Sequence, residues 1–153
     1  MSMSISLGGG WRLVQGDPEG QTQTDMPELD ELAHFSHPLD FHFSTHTMQN
    51  WPRLLLEVWH YDNYGREEPY GYGTVHLPMS PGEHWVQCHC WRPKGTMRNE
   101  LMQAFVGGGL QLRSLQMLDD VGQRARMETV AMGRVNLRLA VVTRHFDRFG
   151  ILC

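Results

Sequence analysis

Lysine is almost missing from this 153-residue chain, in which Lys94 stands against twelve Arg. Arg suits planar pairing with carboxylates and phosphates at partly buried positions, where a Lys would act only as a point charge. Positive charge as a whole is in deficit, with 13 basic against 17 acidic residues and a net charge of -4. That balance excludes general nucleic-acid binding, which needs a basic surface to displace phosphate counterions. Long apolar runs are also lacking. The longest, Leu139–Val142, falls far short of the ~20 residues that cross a bilayer. The opening "MSMSISLGGGW" has neither the basic start nor the apolar stretch of a secretory signal. Cysteine is scarce and odd in number, at three, and Cys88 and Cys90 are too close for an unstrained disulfide across one strand. These features point to a reducing, intracellular compartment.

Catalytic signatures are missing as well. There is no Gly-x-Ser-x-Gly, no P-loop and no HExxH, and the "GGG" at 107–109 follows a helical stretch instead of opening one, so it cannot cradle phosphate in the usual way. Cys153 is terminal, a poor place for a nucleophile that needs a positioned base. Neither an enzymatic activity nor a cofactor is expected. "EHWVQCHC" places His84, Cys88 and Cys90 on one face of an extended strand, a ligand set zinc would accept. It lacks a fourth ligand and the tight turns between ligand pairs of a structural zinc site, and the plain alternative is two buried small thiols with a surface His.

What the chain does have is 41% hydrophobic residues, with five Trp, four Tyr and six Phe, enough for the single core of one domain. Period-two alternation recurs. Leu39, Phe41 and Phe43 share one face of "LDFHFST" at 39–45; "RLLLEVWHY" at 53–61 places Leu54, Leu56 and Val58 together; strands follow over 71–77 and 84–91. The last, "RVNLRLAVVTR" at 134–144, turns Val135, Leu137, Leu139 and Val141 inward and Asn136, Arg138 and Arg144 outward, charges that would protect a sheet edge. One short helix is expected in a connection: Thr96 as N-cap, then "MRNELMQAFV" with Leu101, Met102, Phe105 and Val106 on one side, stopping at Gly107. Strands separated by turns with one helix indicate an all-β antiparallel sandwich.

Charge is uneven along the chain. Residues 17–31, read as a long surface loop, hold six acids and no base, whereas Arg124 to Arg148 hold six Arg. A solvated dipolar surface and a binding face both fit this asymmetry. Arg134, Arg138 and Arg144 lie at even spacing, and Phe146, Arg148 and Phe149 follow in "RHFDRFG", where only docking would order the tail. The candidate partner is another protein subunit or an anionic membrane surface. Trp51, Arg53, Trp91 and Arg92 are further candidates for contact, or, for the two Trp, for the core.

The segment "VWHYDNYGREEPYG" resembles a calcium loop of C2 domains, in which carboxylates converge at one end of a sandwich to give calcium six to eight oxygens. His60 stands at the first Asp place, Asp62 at the second, Glu68 at the third, and Gly71 at the following Gly. In "FSHPLDFHF", His37 replaces the Asp of a Ser-Asp-Pro leading into a C2 strand. Imidazole is a poor calcium ligand, so the loop is read as degenerate and metal-free.

Together, "EGQTQTD", "FSHPLDFHF", "WPRLLLEVW", "GYGTVHLP", "WRP", "AFVGGG" and "RHFDRFG" resemble the B9 domain family of ciliary transition-zone proteins, a divergent C2-like group, from about Trp11 to Cys153. The resemblance implies a C2-like β-sandwich in a non-catalytic subunit. It implies partners among other B9-domain subunits and the tectonic-type membrane components of the Meckel syndrome complex, which helps form the diffusion barrier at the ciliary base. It also implies a location in the cytoplasm and cytoskeleton at the transition zone and basal body. Members carry a strand ahead of the segment that begins here at "GGGW", and "MSMSISL" is short and weakly patterned by comparison. Residues 1–10 are therefore set apart from a domain over 11–153, and the first strand is left in question.

Overall fold

A computed structural model describes residues 1–27, 32–62, 64–94 and 128–150. Among these, eight strands follow in chain order: β1 (Ser2–Ser6), β2 (Trp11–Gln15), β3 (Glu19–Gln21), β4 (His42–Thr45), β5 (Arg53–Tyr61), β6 (Glu67–His76), β7 (Gly82–Pro93) and β8 (Thr129–Val141), with a 3-10 turn at Asp147–Phe149. A six-stranded sheet runs β3-β1-β5-β6-β7-β8, and a two-stranded sheet pairs β2 with β4. Every pairing is antiparallel. The fold is all-β, as the alternation indicates. The helix expected after Thr96 lies outside the described residues.

The middle of β5 explains the order of the large sheet. Leu54, Leu55 and Leu56 are 1%, 3% and 0% exposed, so the strand is covered on both faces and reads as an unbroken apolar run instead of an alternating one. On one face Leu54 and Leu56 meet Met3 of β1 and Cys88 of β7, ringed by Ile5, Leu39, Val75, Val135 and Leu137. On the other, Leu55 and Tyr72 pack with Trp91. The small sheet adds an aromatic layer: Trp11 of β2 meets Trp51 edge-on at 4.6 Å between ring centres and Phe43 of β4 at 6.5 Å. Trp51 and Trp91 thus serve packing.

Two sequence expectations are revised. Residues 1–10 are not separate from the sheet, because β1 sits between β3 and β5, with Met3 opposite Leu56 and Ile5 opposite Leu54. The pattern M-S-M-S-I-S is in fact a clean alternation, and small Ser side chains on the far face made it look weak. The acidic stretch 17–31 is not all loop either: Glu19–Gln21 pairs with β1, and Thr22 is buried.

Packing between β6 and β7 depends on a missing side chain. A Cβ on Gly73 would come 2.5 Å from Cys88 Sγ and 3.2 Å from Cys90 Sγ, so the two thiols occupy the space a larger residue would need. Cys88 and Cys90 are free and buried. The neighbouring Cys90 thiol, through a hydrogen bond, and then burial hold the Cys88 thiol well above its ordinary range, which keeps it protonated and inert. His84, the third member of the zinc reading, instead places Nε2 2.9 Å from the Ser80 carbonyl. No cluster of three or more His, Cys, Asp or Glu suited to a metal occurs among the described residues.

Two outcomes follow. Gly73→Ala should cost about 1–3 kcal/mol by overpacking, read from urea denaturation, and Cys88→Ala in the same chain should recover part of that loss, which independent sites would not show. The second concerns Glu57, which is buried mid-strand on the Tyr72 face. Burial raises its carboxyl above the ordinary 4.5, and hydrogen bonds with Trp59 and Tyr72 only partly offset this. The folded chain then holds a proton that the unfolded chain has released, so this stabilisation is complete below 4.5 and is lost as pH rises through the folded value. Glu57→Gln should therefore gain stability relative to the parent as pH rises from acid to neutral; a difference in melting temperature that does not vary with pH would contradict this.

Candidate functional site

The degenerate calcium loop is the hairpin between β5 and β6. Its geometry is set by Asp62. One carboxylate oxygen, Oδ1, accepts the backbone N–H of Tyr64 at 2.8 Å and of Arg66 at 2.9 Å, while Oδ2 accepts Arg66 Nε at 2.7 Å. The backbone closes the same turn: Asp62 N–H donates to the Arg66 carbonyl at 3.0 Å and Gly65 N–H to the Asp62 carbonyl at 3.1 Å. Gly65 adopts φ 80°, the left-handed conformation that short hairpin loops place on glycine. Hydrogen bonds from the Arg66 backbone first, then from its side chain and the Tyr64 backbone, hold the Asp62 carboxyl below its ordinary 3.8. Both oxygens are thus engaged by the turn itself, and calcium would have to break these bonds to use them.

The remaining positions of the loop motif do not converge on Asp62. His60 and Glu68 face one another across the hairpin ladder, with the exposed His60 ring 6.1 Å from Tyr70. Gly71 pairs with Val58 and is buried against Met132 and Cys90, where a Cβ would lie 3.3 and 3.4 Å from their Cβ atoms. His37 sits beside Gly20 of β3. Gly20 pairs with Met3 and Met3 with Leu56, six residues before Asp62, roughly 20 Å along a strand at ~3.3 Å per residue. The segment keeps the spacing of a calcium site, and its Asp62 carboxylate is engaged in closing the turn.

The basic residues fall into two groups. Arg134 and Arg138 project outward from β8, with inward-facing Val135 and Leu137 half-buried between them. Arg138 Nη2 bridges Glu83 of β7 at 2.9 and 3.1 Å, and its guanidinium lies 5.8 Å from the centre of the Trp85 ring. Arg144 is not on this strand, because β8 ends at Val141. It belongs to the tail, where His145 takes φ 67°, Phe146 is half-buried beside the cleft between the two sheets, and Arg148 is exposed in the closing 3-10 turn with Phe149. Even spacing in sequence therefore does not give one continuous basic face.

Among the described aromatic residues, Tyr61, Tyr64, Tyr70 and Trp85 are exposed, Tyr64 and Trp85 most of all. Trp85 is 74% exposed and Tyr64 86%. The signal for Trp85 was present in "GEHWVQCHC": Cys88 and Cys90 turn inward, so odd-numbered Trp85 must turn outward.

The family described as "Ciliary basal body-associated, B9 protein" matches residues 1–142. B9 domain-containing protein 2 of Danio rerio is 50% identical over 147 residues, covering 96% of this chain and 84% of that protein. Its Homo sapiens counterpart is 45% identical over 149 residues, covering 97% and 85%. Tectonic-like complex member MKS1 of Homo sapiens is 34% identical over 139 residues, covering 78% of this chain and 25% of that protein. No solved structure matches the chain.

Asp62→Ala removes all three bonds to the carboxylate and should lower the thermal midpoint and speed amide exchange across residues 61–67. Millimolar calcium should leave the parent midpoint unchanged; a calcium-dependent rise lost in Asp62→Ala would show that the loop still binds metal.

Proposed function

The chain belongs to the B9 family of ciliary basal body-associated proteins, and from that membership we propose a non-catalytic structural subunit of the Meckel syndrome (tectonic-like/B9) complex at the ciliary transition zone. It acts by binding other B9-domain proteins, and through them membrane components, in support of cilium assembly and the diffusion barrier at the ciliary base. The observation that carries this reading is the likeness to a region of the protein named as a tectonic-like complex member, over 78% of the present chain. The hairpin supports it from the side of chemistry. A loop shaped by its own Asp62 presents the same surface with or without calcium, which suits constitutive assembly.

The contact residues we assign are Arg134 and Arg138 on β8 and Arg144, Phe146, Arg148 and Phe149 in the tail. Arg is enriched at protein interfaces because its planar fork pairs carboxylates and stacks on aromatic rings. Calcium-independent binding of anionic phospholipid is the second reading, favoured by the exposure of these same guanidinium groups. Arg138 also pairs with Glu83, and its guanidinium stays exposed.

Co-expression with other B9-domain proteins, followed by size-exclusion chromatography, should give a stable hetero-oligomer. Arg144→Glu with Arg148→Glu should reduce co-purification. A stable monomer in the presence of the other subunits would remove the scaffold reading, and sedimentation with anionic vesicles would then favour the lipid one.

A further inference from the structure

The two edges of the large sheet differ sharply. At one side β3 offers three residues, Glu19–Gln21, too short to template another strand. At the other, β8 spans Thr129–Val141, with a bulge at Met132–Gly133 that leaves Gly133–Val141 as its regular run, and among the described residues no strand pairs with its outer side. Alternate residues along such an edge direct N–H and C=O groups outward, the arrangement that strand addition uses. Its inward side chains, Val135, Leu137, Leu139 and Val141, are half-buried, so the apolar face of the sheet continues to the edge without being fully covered there.

The charges on this edge select the occupant. Arg134 and Arg138 share the outward face with Asn136 and Ala140. Antiparallel pairing with a second copy about a two-fold at Asn136 would set Arg134 against Arg138 of that copy. With the two-fold at Val135 or Leu137, Arg residues of the two copies become diagonal neighbours, still within ~7–8 Å. Self-pairing in these registers therefore crowds four guanidinium groups on one face, with a single Glu83 per copy to offset them. An incoming strand with acidic residues at alternate positions meets the opposite situation, because its carboxylates face Arg134 and Arg138 while its apolar residues extend the Val135–Val141 side.

We propose that β8 is an open edge that accepts an extended, acidic-alternating strand of a partner protein, and that Arg134 and Arg138 both recruit that strand and keep β8 from pairing with its own copy. The proposal rests on the reading of the chain as a binding subunit and names the surface and the partner chemistry.

The test uses the full chain and a fluorescent peptide of about a dozen residues alternating Val and Glu, with a Val and Lys counterpart as control. Reversing the sign of two directly facing pairs should separate the peptides about tenfold in affinity by anisotropy, with amide protection confined to residues 129–141. In parallel, Arg134→Glu leaves the Arg138–Glu83 pair intact and places a carboxylate opposite Arg138 of a second copy. This variant should dimerise in sedimentation velocity while the parent does not. Equal binding of the two peptides, or protection away from β8, overturns the proposal. The peptide comparison uses the parent chain, so a folding defect in the variant leaves the test standing. Hetero-oligomer formation with equal peptide binding would sink the edge assignment alone, whereas selective peptide binding without any hetero-oligomer would sink the scaffold reading alone.

Discussion

Burial of β5 on both faces is the constraint from which the rest of this structure follows. A strand whose Leu54, Leu55 and Leu56 all leave water must be central, and β1 and β6 pair on its two sides. Its register with β6 then fixes where the hairpin ends and which residues stand at the tip. The same register brings Gly73 level with Leu56 and leaves the room on β6 that Cys88 and Cys90 fill. Core substitutions in such a strand typically cost about 2–5 kcal/mol for Leu→Ala, a large share of the ~5–15 kcal/mol that holds a domain together.

Between β5 and β6, Asp62 closes the turn by hydrogen bonds to Tyr64 and Arg66. A carboxylate that accepts two backbone N–H groups and its neighbour's guanidinium has little left for a metal. In a calcium-dependent loop the ion organises the carboxylates; here the chain organises its own, so the surface exists before any ligand arrives. That exchange is the ground on which constitutive assembly is proposed for a chain whose family is described as ciliary basal body-associated.

Much of this was legible in the sequence where chemistry and periodicity agreed. The bounds of β5 follow from "RLLLEVWHY", and β6, β7 and β8 overlap the expected segments while extending beyond them at their starts. β1 is hard to see in sequence because alternating Ser leaves one face without any apolar signal, and β3 because Glu19, Gly20 and Gln21 offer no apolar side chain to form a pattern. Spacing alone makes Asp62 a remnant ligand, because it cannot distinguish an oxygen aimed at a metal from one aimed at N–H groups two and four residues on. The split of Arg144 from Arg134 and Arg138 depended on where β8 stops, and alternation continuing through Val141 and Thr143 gives no such stop.

The resulting molecule is asymmetric, with one blunt edge, one long edge bearing two Arg, and a hairpin whose shape is fixed internally. Partners are proposed to meet a preformed, metal-independent surface along β8. Hydrogen–deuterium exchange on the chain alone and assembled with other B9-domain proteins, each with and without calcium, tests this most directly. New protection is expected over residues 129–141 on assembly, with no calcium effect at residues 61–67. Protection that appears at 61–67 only when calcium is added, with β8 unchanged, would contradict it.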